Sequence, residues 1–513
     1  MRDRSIERLR SEAFDVLVIG GGVTGAGAAW DGALRKLNVA LVEKDDFGSG
    51  TSSRSSKLLH GGLRYLRRLE FRLVHEGLRE RRYNEHIAPH LTSPLRFVVP
   101  LIGSRRLGVR LGLLTYDFLA LGSGFPRHER LDPETTIAAA PALRRDVGGA
   151  LAYWDARIED ARLAWTLARS AHERGAAVAN HAAVVDLSRD AEGRIDGARV
   201  RDGLSGETFD VRAKVVVNAT GVWADEIRTL ESPAAGLGLR PSKGTHLVFS
   251  RSAIPLTGAA LLVPTSDRRF VFVIPWVDDT VIVGTTDVAH EGPIDEPVAS
   301  SDEIDYLLAA TNEVLARKVS PSDIVSTFAG LRPLIASRRR GRGRSKDISR
   351  RHLVRRGPGG VITVTGGKLT AWRPMAEDAI DAAVRHGGFG RRPSRMKVER
   401  LSGAAFFEGV VPALRAVLDD LRLDSSQAER LYDRYGSLAA EVQRLPRSDA
   451  AFGERLHPQA PYLKAEAEYA IASEMAGTAA DVMERRLRLA LTTTDHGEAA
   501  RAWISGRLNA PRG

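Results

Sequence analysis

The chain is 513 residues long, 43% apolar and 27% charged, with 75 basic against 64 acidic side chains and a formal net charge of +11. That is the composition of a folded protein too long for one simple core, so two or three domains are expected. It has no cysteine, which excludes disulfides, thiolate metal sites, iron–sulfur clusters and a cysteine-linked flavin, and which fits a reducing compartment.

Residues 1–13 alternate charges with isolated apolar positions and read as a short lead-in helix, not a secretory signal. FDVLVIGGGVTGAGAAWDGAL (14–34) is an apolar strand, a glycine turn and a helix, and NVALVEKDD (38–46) is a second strand ending in acids. TSSRSSKLLHGGLRYL (51–66) fits neither a plain helix, because of Gly61-Gly62, nor a surface loop, because of its leucines. A helix over 71–86 and a strand over 95–102 follow. LGVRLGLLTYDFLALG (107–122) reads either as a core helix or as a segment dipping into a membrane interface. A helix is expected over 158–175, strands over 176–187 and 198–202, and a strand running into a turn and helix over 214–227. Alternating strands between 240 and 290 predict a mostly antiparallel sheet, and 302–315 a helix. SRRRGRGRSK (337–346) reads as a solvated basic loop, 360–384 returns to strand, glycine turn and helix, and beyond about 400 the pattern is helical, through 410–423 and 465–491. There is no run of about 18 apolar residues, so no spanning helix is expected. The basic excess suits an anionic substrate or an anionic membrane surface. Nucleic acid is the weakest partner, since the cations are not interleaved with aromatics.

Gly20, Gly22 and Gly25 form GxGxxG directly after a strand, where they allow a tight turn, a close approach to a pyrophosphate and tight helix packing. The helix start offers N–H groups to phosphates, and Glu43, ending the second strand, can accept hydrogen bonds from a ribose diol. Two distant glycine elbows, Asn218-Ala219-Thr220-Gly221 and Thr365-Gly366-Gly367-Lys368-Leu369-Thr370, would let the chain return to one long cofactor, which favours FAD over NAD. No metal ligand set is expected.

The motifs IGGGVTGAGAAWDGA, TSSRSSKLLHGGLRYL, IEDARL, VNATGVWAD, KGTHLVF, FVIPW, VGTTD, GLRPL, ISRRH and GGKLTAWR together resemble the FAD-dependent glycerol-3-phosphate dehydrogenases, within the flavoprotein superfamily of D-amino-acid oxidase. The resemblance spans nearly the whole chain, and the segment 474–491 is similar to the family's helical cap. It implies an α/β fold: a discontinuous Rossmann-like FAD-binding domain (1–85, 150–238 and 325–395), a mainly antiparallel β substrate domain (86–149 and 239–324) and a C-terminal α-helical domain (396–513). It implies oxidation of sn-glycerol 3-phosphate to dihydroxyacetone phosphate by hydride transfer to non-covalent FAD, then electron transfer to a membrane quinone. The protein would sit peripherally on the inner face of the cytoplasmic membrane, with homodimer formation left open.

In that reading Thr51, Ser52, Ser55, Lys57, His60, Gly61, Gly62, Val184, Ala219, Thr220, Gly221, Gly367, Lys368, Leu369 and Thr370 join the GxGxxG glycines and Glu43 around the cofactor. Arg64, Tyr65, His246, Arg332 and Arg350 face the substrate, with His246 favoured over His60 as base, and Arg332 and Lys368 supplying charge. Lys368 has the alternative of a solvent-exposed lysine beside a glycine turn. Arg351 stands where the family commonly has an acid, which weakens the reading of Arg350. The rival readings are an oxidase using dioxygen, another D-amino-acid-oxidase-like enzyme acting on an amine, and a flavin-bound interaction module with a decayed site.

Overall fold

The computed structural model describes residues 1–63, 70–101, 106–120, 126–267, 269–335, 352–404 and 425–510. Arg64, Tyr65, Arg350, the tract 337–346 and the segment 410–423 lie outside the described residues.

Five strands run parallel in the order Ile362–Gly366, Thr208–Asn218, Ala13–Ile19, Val39–Val42, Ala177–Ala179. They are almost continuously apolar because both faces of this sheet are covered. On one face pack the helices Val23–Leu34, Asp160–Glu173 and Trp372–Gly387, around Trp30, Trp165 and Trp372. The other face is closed by the helix Arg2–Ser11, through Ile6 and Leu9, and by the antiparallel strands Ala182–Arg189 and Ile195–Asp202. The lead-in helix is thus part of the core, and Arg2 fixes it by a 2.6 Å ion pair to Asp202.

A second, mostly antiparallel sheet runs in the order Val288–Ala289, Ser242–Ser250, Thr280–Gly284, Phe270–Pro275, Ala260–Pro264, Thr92–Pro100, Ala150–Ile158, Leu58–Leu59, with Ile324–Arg332 paired to Ser242–Ser250. The antiparallel expectation for 240–290 is met. The strands Ala150–Ile158 and Ile324–Arg332 also join this sheet, so a division drawn by sheets falls near 160 and after 332. Patterning marks a strand; it does not say which sheet receives it.

The C-terminal region is not one continuous helix. Lys464–Ser473 stops, a π-helical turn follows over Asp481–Arg486, and short helices run over Leu489–Thr492 and Glu498–Asn509. Met475 and Arg488 take left-handed backbone conformations, with φ of 54° and 63°. The reason is electrostatic. Buried Glu474 accepts two hydrogen bonds from Arg162 at 2.6 and 2.7 Å, and buried Asp46 accepts from Arg485 at 2.7 Å and from Arg486 at 2.6 and 2.9 Å. Helical periodicity gives way where it would aim these cations away from their acids.

Among the described residues no helix is long and apolar enough to cross a membrane, and no group of three or more His, Asp or Glu residues is placed to hold a metal ion. Removing one partner of a buried pair strands the other charge, at a cost of about 3–5 kcal/mol. Asp46→Ala is therefore expected to lower unfolding stability by about that amount, read as a shift in urea midpoint at constant slope. An unchanged midpoint would show that Arg485 and Arg486 find other acids.

Candidate active site

The strand Ala13–Ile19 delivers its chain into the Gly20–Gly22 turn, and the helix Val23–Leu34 begins there with Gly22 as its cap. Gly25 is required by contact: a Cβ at this position would lie 1.8 Å from the carbonyl oxygen of Gly20. The parallel neighbour Val39–Val42 places Glu43 beside the same turn. Buried Glu43 accepts the Gly21 N–H at 2.6 Å and the Asp45 N–H at 3.0 Å. Burial raises its pKa, against those two hydrogen bonds. Both oxygens keep further lone pairs for hydroxyl donors. Ser52 Oγ accepts the Val23 N–H at 3.0 Å, so one of the helix's N–H groups already has a partner within the protein.

From this turn a long cavity runs between the two sheets. Gly20, Gly22, Glu43, Thr51, Ser52, Ser55 and His60 line it, as do Val184, Ala219, Thr220, Gly221, Gly367, Lys368, Leu369 and Thr370, and so do His246 and Arg332. Most of the residues expected around cofactor and substrate therefore share one space. Gly25, Lys57, Gly61 and Gly62 do not line it. Gly25 packs behind the turn, and the Gly61 N–H bonds to Tyr116 Oη at 3.0 Å and Asp155 at 3.2 Å. Lys57 is a buried structural cation: its Nζ donates to Ser53 O at 2.5 Å and to Asp160 at 2.8 Å. Its pKa falls to about 8, because burial outweighs the attraction of Asp160.

The second sheet supplies the other end of the cavity. His246, on Ser242–Ser250, lies opposite Gly284 on one neighbouring strand and Phe328 on the other. Its ring stacks on Phe328, with centroids 4.6 Å apart and planes 11° from parallel. The far side stays open to it because residue 284 is glycine; a Cβ there would sit 2.3 Å from the ring. Nε2 lies 2.8 Å from Ser56 Oγ. Burial holds the His246 pKa well below its ordinary value, and the nearby Lys57 and Arg332 cations depress it further, so the ring is neutral at neutral pH.

Arg332 reaches Thr285 Oγ1 and Thr286 O, each at 3.2 Å, with Asp287 3.6 Å away. Lys368 Nζ donates to Leu73 O at 3.1 Å, in a notch left by Gly77, where a Cβ would come within 2.6 Å of the amine. It is not a free surface lysine. Thr370 Oγ1 donates to His60 O at 3.2 Å, tying the second glycine elbow to the 58–62 segment.

Sequence reasoning took Ser56 only as one of the motif's serines donating to cofactor oxygens, without its link to His246, and passed over Thr285, Lys44 and Trp223 among the lining residues and Asp160 and Arg488 behind them. Ser56 and Asp160 do lie inside motifs singled out from sequence. Their roles depend on contacts 190 and 328 residues away along the chain, to His246 and to Arg488, and no local pattern announces these.

Comparison with known proteins agrees with this geometry. Residues 15–373 match the family described as FAD dependent oxidoreductase, and residues 395–507 match the C-terminal domain of alpha-glycerophosphate oxidase. The chain is 40% identical over 499 residues to glycerol-3-phosphate dehydrogenase 2 of Mycobacterium tuberculosis, covering 96% of this chain and 83% of that protein. It is 36% identical over 530 residues to the glycerol-3-phosphate dehydrogenase of Synechocystis, covering 98% and 94%. The crystal structure of the glycerol-3-phosphate dehydrogenase from Bacillus halodurans complexed with FAD superposes with a TM-score of 0.80 at 30% identity, over 99% of this chain and 93% of that one.

The residues present fit FAD. A glycine cradle meets a helix start, an acid with spare lone pairs stands at the ribose position, and the cavity continues from there to the second sheet. Because the Gly25 site has no room for a methyl group, Gly25→Ala is expected to push the helix off the turn and yield protein with little bound flavin. Flavin absorbance per mole of protein checks this; full flavin content would mean that the turn tolerates the shift.

Proposed function

Because the chain belongs to the family of FAD-dependent oxidoreductases, we propose that it oxidises sn-glycerol 3-phosphate to dihydroxyacetone phosphate and passes the electrons to a membrane quinone. The observation that carries this reading is the meeting of buried neutral His246 with the Arg332 guanidinium at one end of a dinucleotide cavity. A proton acceptor beside an anion-binding cation is what a phosphorylated secondary alcohol requires. When bound, FAD supplies the two-electron acceptor for the hydride that leaves the substrate's middle carbon.

The chain's own residues do the rest. Arg332 binds the phosphate dianion and so fixes which carbon faces the cofactor. His246 takes up the hydroxyl proton at Nε2, the ring nitrogen turned toward Ser56. Burial keeps the ring neutral, and Lys57 and Arg332 add to it; pairing of Arg332 with the dianion offsets one of those two fields, so His246 becomes more basic as substrate arrives. Lys368, with its amine pinned beside Gly77, and the Thr370–His60 contact stiffen a wall of the cavity that would hold the cofactor.

Support for a membrane-side acceptor comes from the helix Arg106–Leu119. Leu113 and Tyr116 are buried, whereas Leu114 and Phe118, four residues apart on one face, are 51% and 71% exposed. Exposed apolar side chains on a basic protein suit an anionic lipid surface. Phe118→Glu is expected to weaken binding to anionic phospholipid vesicles in a sedimentation assay while leaving soluble-dye reduction intact; equal sedimentation would remove this helix from the membrane contact.

Anaerobic addition of sn-glycerol 3-phosphate is expected to bleach the flavin, with reoxidation by a quinone faster than by dioxygen. Bleaching by amino acids instead would favour an amine oxidase, faster reoxidation by dioxygen an oxidase, and no bleaching an inactive site. Arg332→Ala is expected to raise the substrate concentration for half-maximal bleaching by about 10- to 150-fold with FAD retained, hydrogen bonds to a charged group being worth about 1.5–3 kcal/mol. An unchanged value would remove Arg332 from the phosphate site.

A further inference from the structure

His246 lines the cavity, yet each of its ring nitrogens is either sealed or already met by a side chain. Nδ1 is sealed from solvent and has no hydrogen-bond partner. In the tautomer with the ring proton on Nδ1, Nε2 presents one lone pair, and Ser56 Oγ stands 2.8 Å from it. The residue is only 2% exposed, its ring held between Phe328 and the bare Cα of Gly284. Ser56 is the half-buried one of the pair, and it lines the cavity.

The serine is also held in place from both sides. Its neighbour Ser55 gives Asp160 a backbone N–H at 3.1 Å and its hydroxyl at 2.7 Å. Its other neighbour, Lys57, is forced into a left-handed conformation at φ 58° and gives the same carboxylate its Nζ at 2.8 Å. Arg488, from the C-terminal region, closes the clamp on the second carboxylate oxygen at 2.5 Å and donates to Ser53 O at 3.3 Å. Ser55 and Lys57 are therefore both committed to Asp160, which leaves the hydroxyl between them turned toward His246.

We propose that Ser56 is the relay through which the substrate's proton reaches His246, and that Asp160, Lys57 and Arg488 are the positioning residues that hold it there. In this step, which rests on His246 being the base, the substrate hydroxyl gives its hydrogen to Ser56 Oγ while the hydrogen already on Ser56 passes to Nε2. Bound FAD would supply the acceptor for the hydride lost from the carbon that bore this hydroxyl, the carbonyl forms there, and Ser56 ends as it began, neutral and protonated. The charged groups facing His246 are Lys57 and Arg332, with Asp160 and Arg488 behind Lys57. Of these, Lys57 opposes the proton's arrival.

The test is the limiting rate of flavin reduction at saturating sn-glycerol 3-phosphate, under anaerobic stopped flow, across a pH series. Ser56→Ala is expected to slow reduction by about 10²-fold or more, the scale of general base catalysis, with FAD content and dithionite reduction unchanged. Ser56→Thr, which keeps the hydroxyl, restores most of the rate. Lys57→Met removes a cation that resists protonation of His246, so the acid limb of the profile moves to higher pH. His246→Gln serves as the reference. If it slows reduction and Ser56→Ala does not, the relay is wrong while the base stands; if neither slows it, the base assignment itself has failed. Should Ser56→Ala protein come without FAD, Ser56→Gly, which likewise carries no exchangeable hydrogen, is read in its place, and a wild-type rate from it overturns the relay.

Discussion

Asp160 is the residue on which the site's geometry rests. It is buried at the start of the helix Asp160–Glu173, where the chain leaves the second sheet for the first. Burial pushes its pKa up, and Lys57 and Arg488 pull it further down, so it stays ionised. An ionised buried carboxylate must be supplied with donors or pay several kcal/mol. Here the donors come from three places: the 55–57 turn, its own helix start through the Ala161 N–H at 2.8 Å, and Arg488. Meeting that one requirement joins the cofactor side, the substrate side and the C-terminal region at a point.

The clamp puts a buried cation beside His246. Lys57 opposes charging of His246, as does Arg332, and the ring's stacking on Phe328 gives no compensating hydrogen bond. In the proposed reaction a histidine so placed would be a poor base until Arg332 faced a dianion. The one cation proposed to bind the phosphate, Arg332, would thus make proton uptake conditional on it. An uncharged alcohol of similar shape would leave both cations acting on the ring. Selectivity for a phosphorylated substrate would then arise in the chemical step as well as in binding.

Much of this was legible in the sequence because it is local. GxGxxG after an apolar strand, with Glu43 closing the next, dictates a turn, a helix start and an acid within one unit, and the structure has them there. The two distant elbows, Ala219–Gly221 and Gly367–Thr370, likewise come to the same cavity. What sequence could not order was the partnering of charges. Lys57 reads as a cofactor contact from its place in a serine-rich motif, yet it turns inward, because Asp160 is 103 positions away in sequence and 2.8 Å away in space. The C-terminal stretch 465–491 has helical composition, yet it breaks at Met475 and Arg488 to aim arginines at Asp46 and Asp160. Periodicity reports the burial of apolar faces; it is blind to a buried acid that must be reached from a particular direction.

Those two arginine contacts change how the C-terminal region is to be understood. A domain that merely capped the fold would meet it through apolar surface and rim charges, and its loss would expose a patch without altering the cavity. Here Arg486 shares Asp46 with Arg485, directly after the strand and acid that define the ribose end, and Arg488 shares Asp160 with the turn that carries Ser56. The segment 485–488 therefore touches the supports of both ends of the cavity within four residues. Arg488 makes its 2.5 Å contact to Asp160 from a left-handed backbone conformation, φ 63°. The cofactor cavity and the C-terminal region are one electrostatic unit, and the broken helix is the form that unit requires.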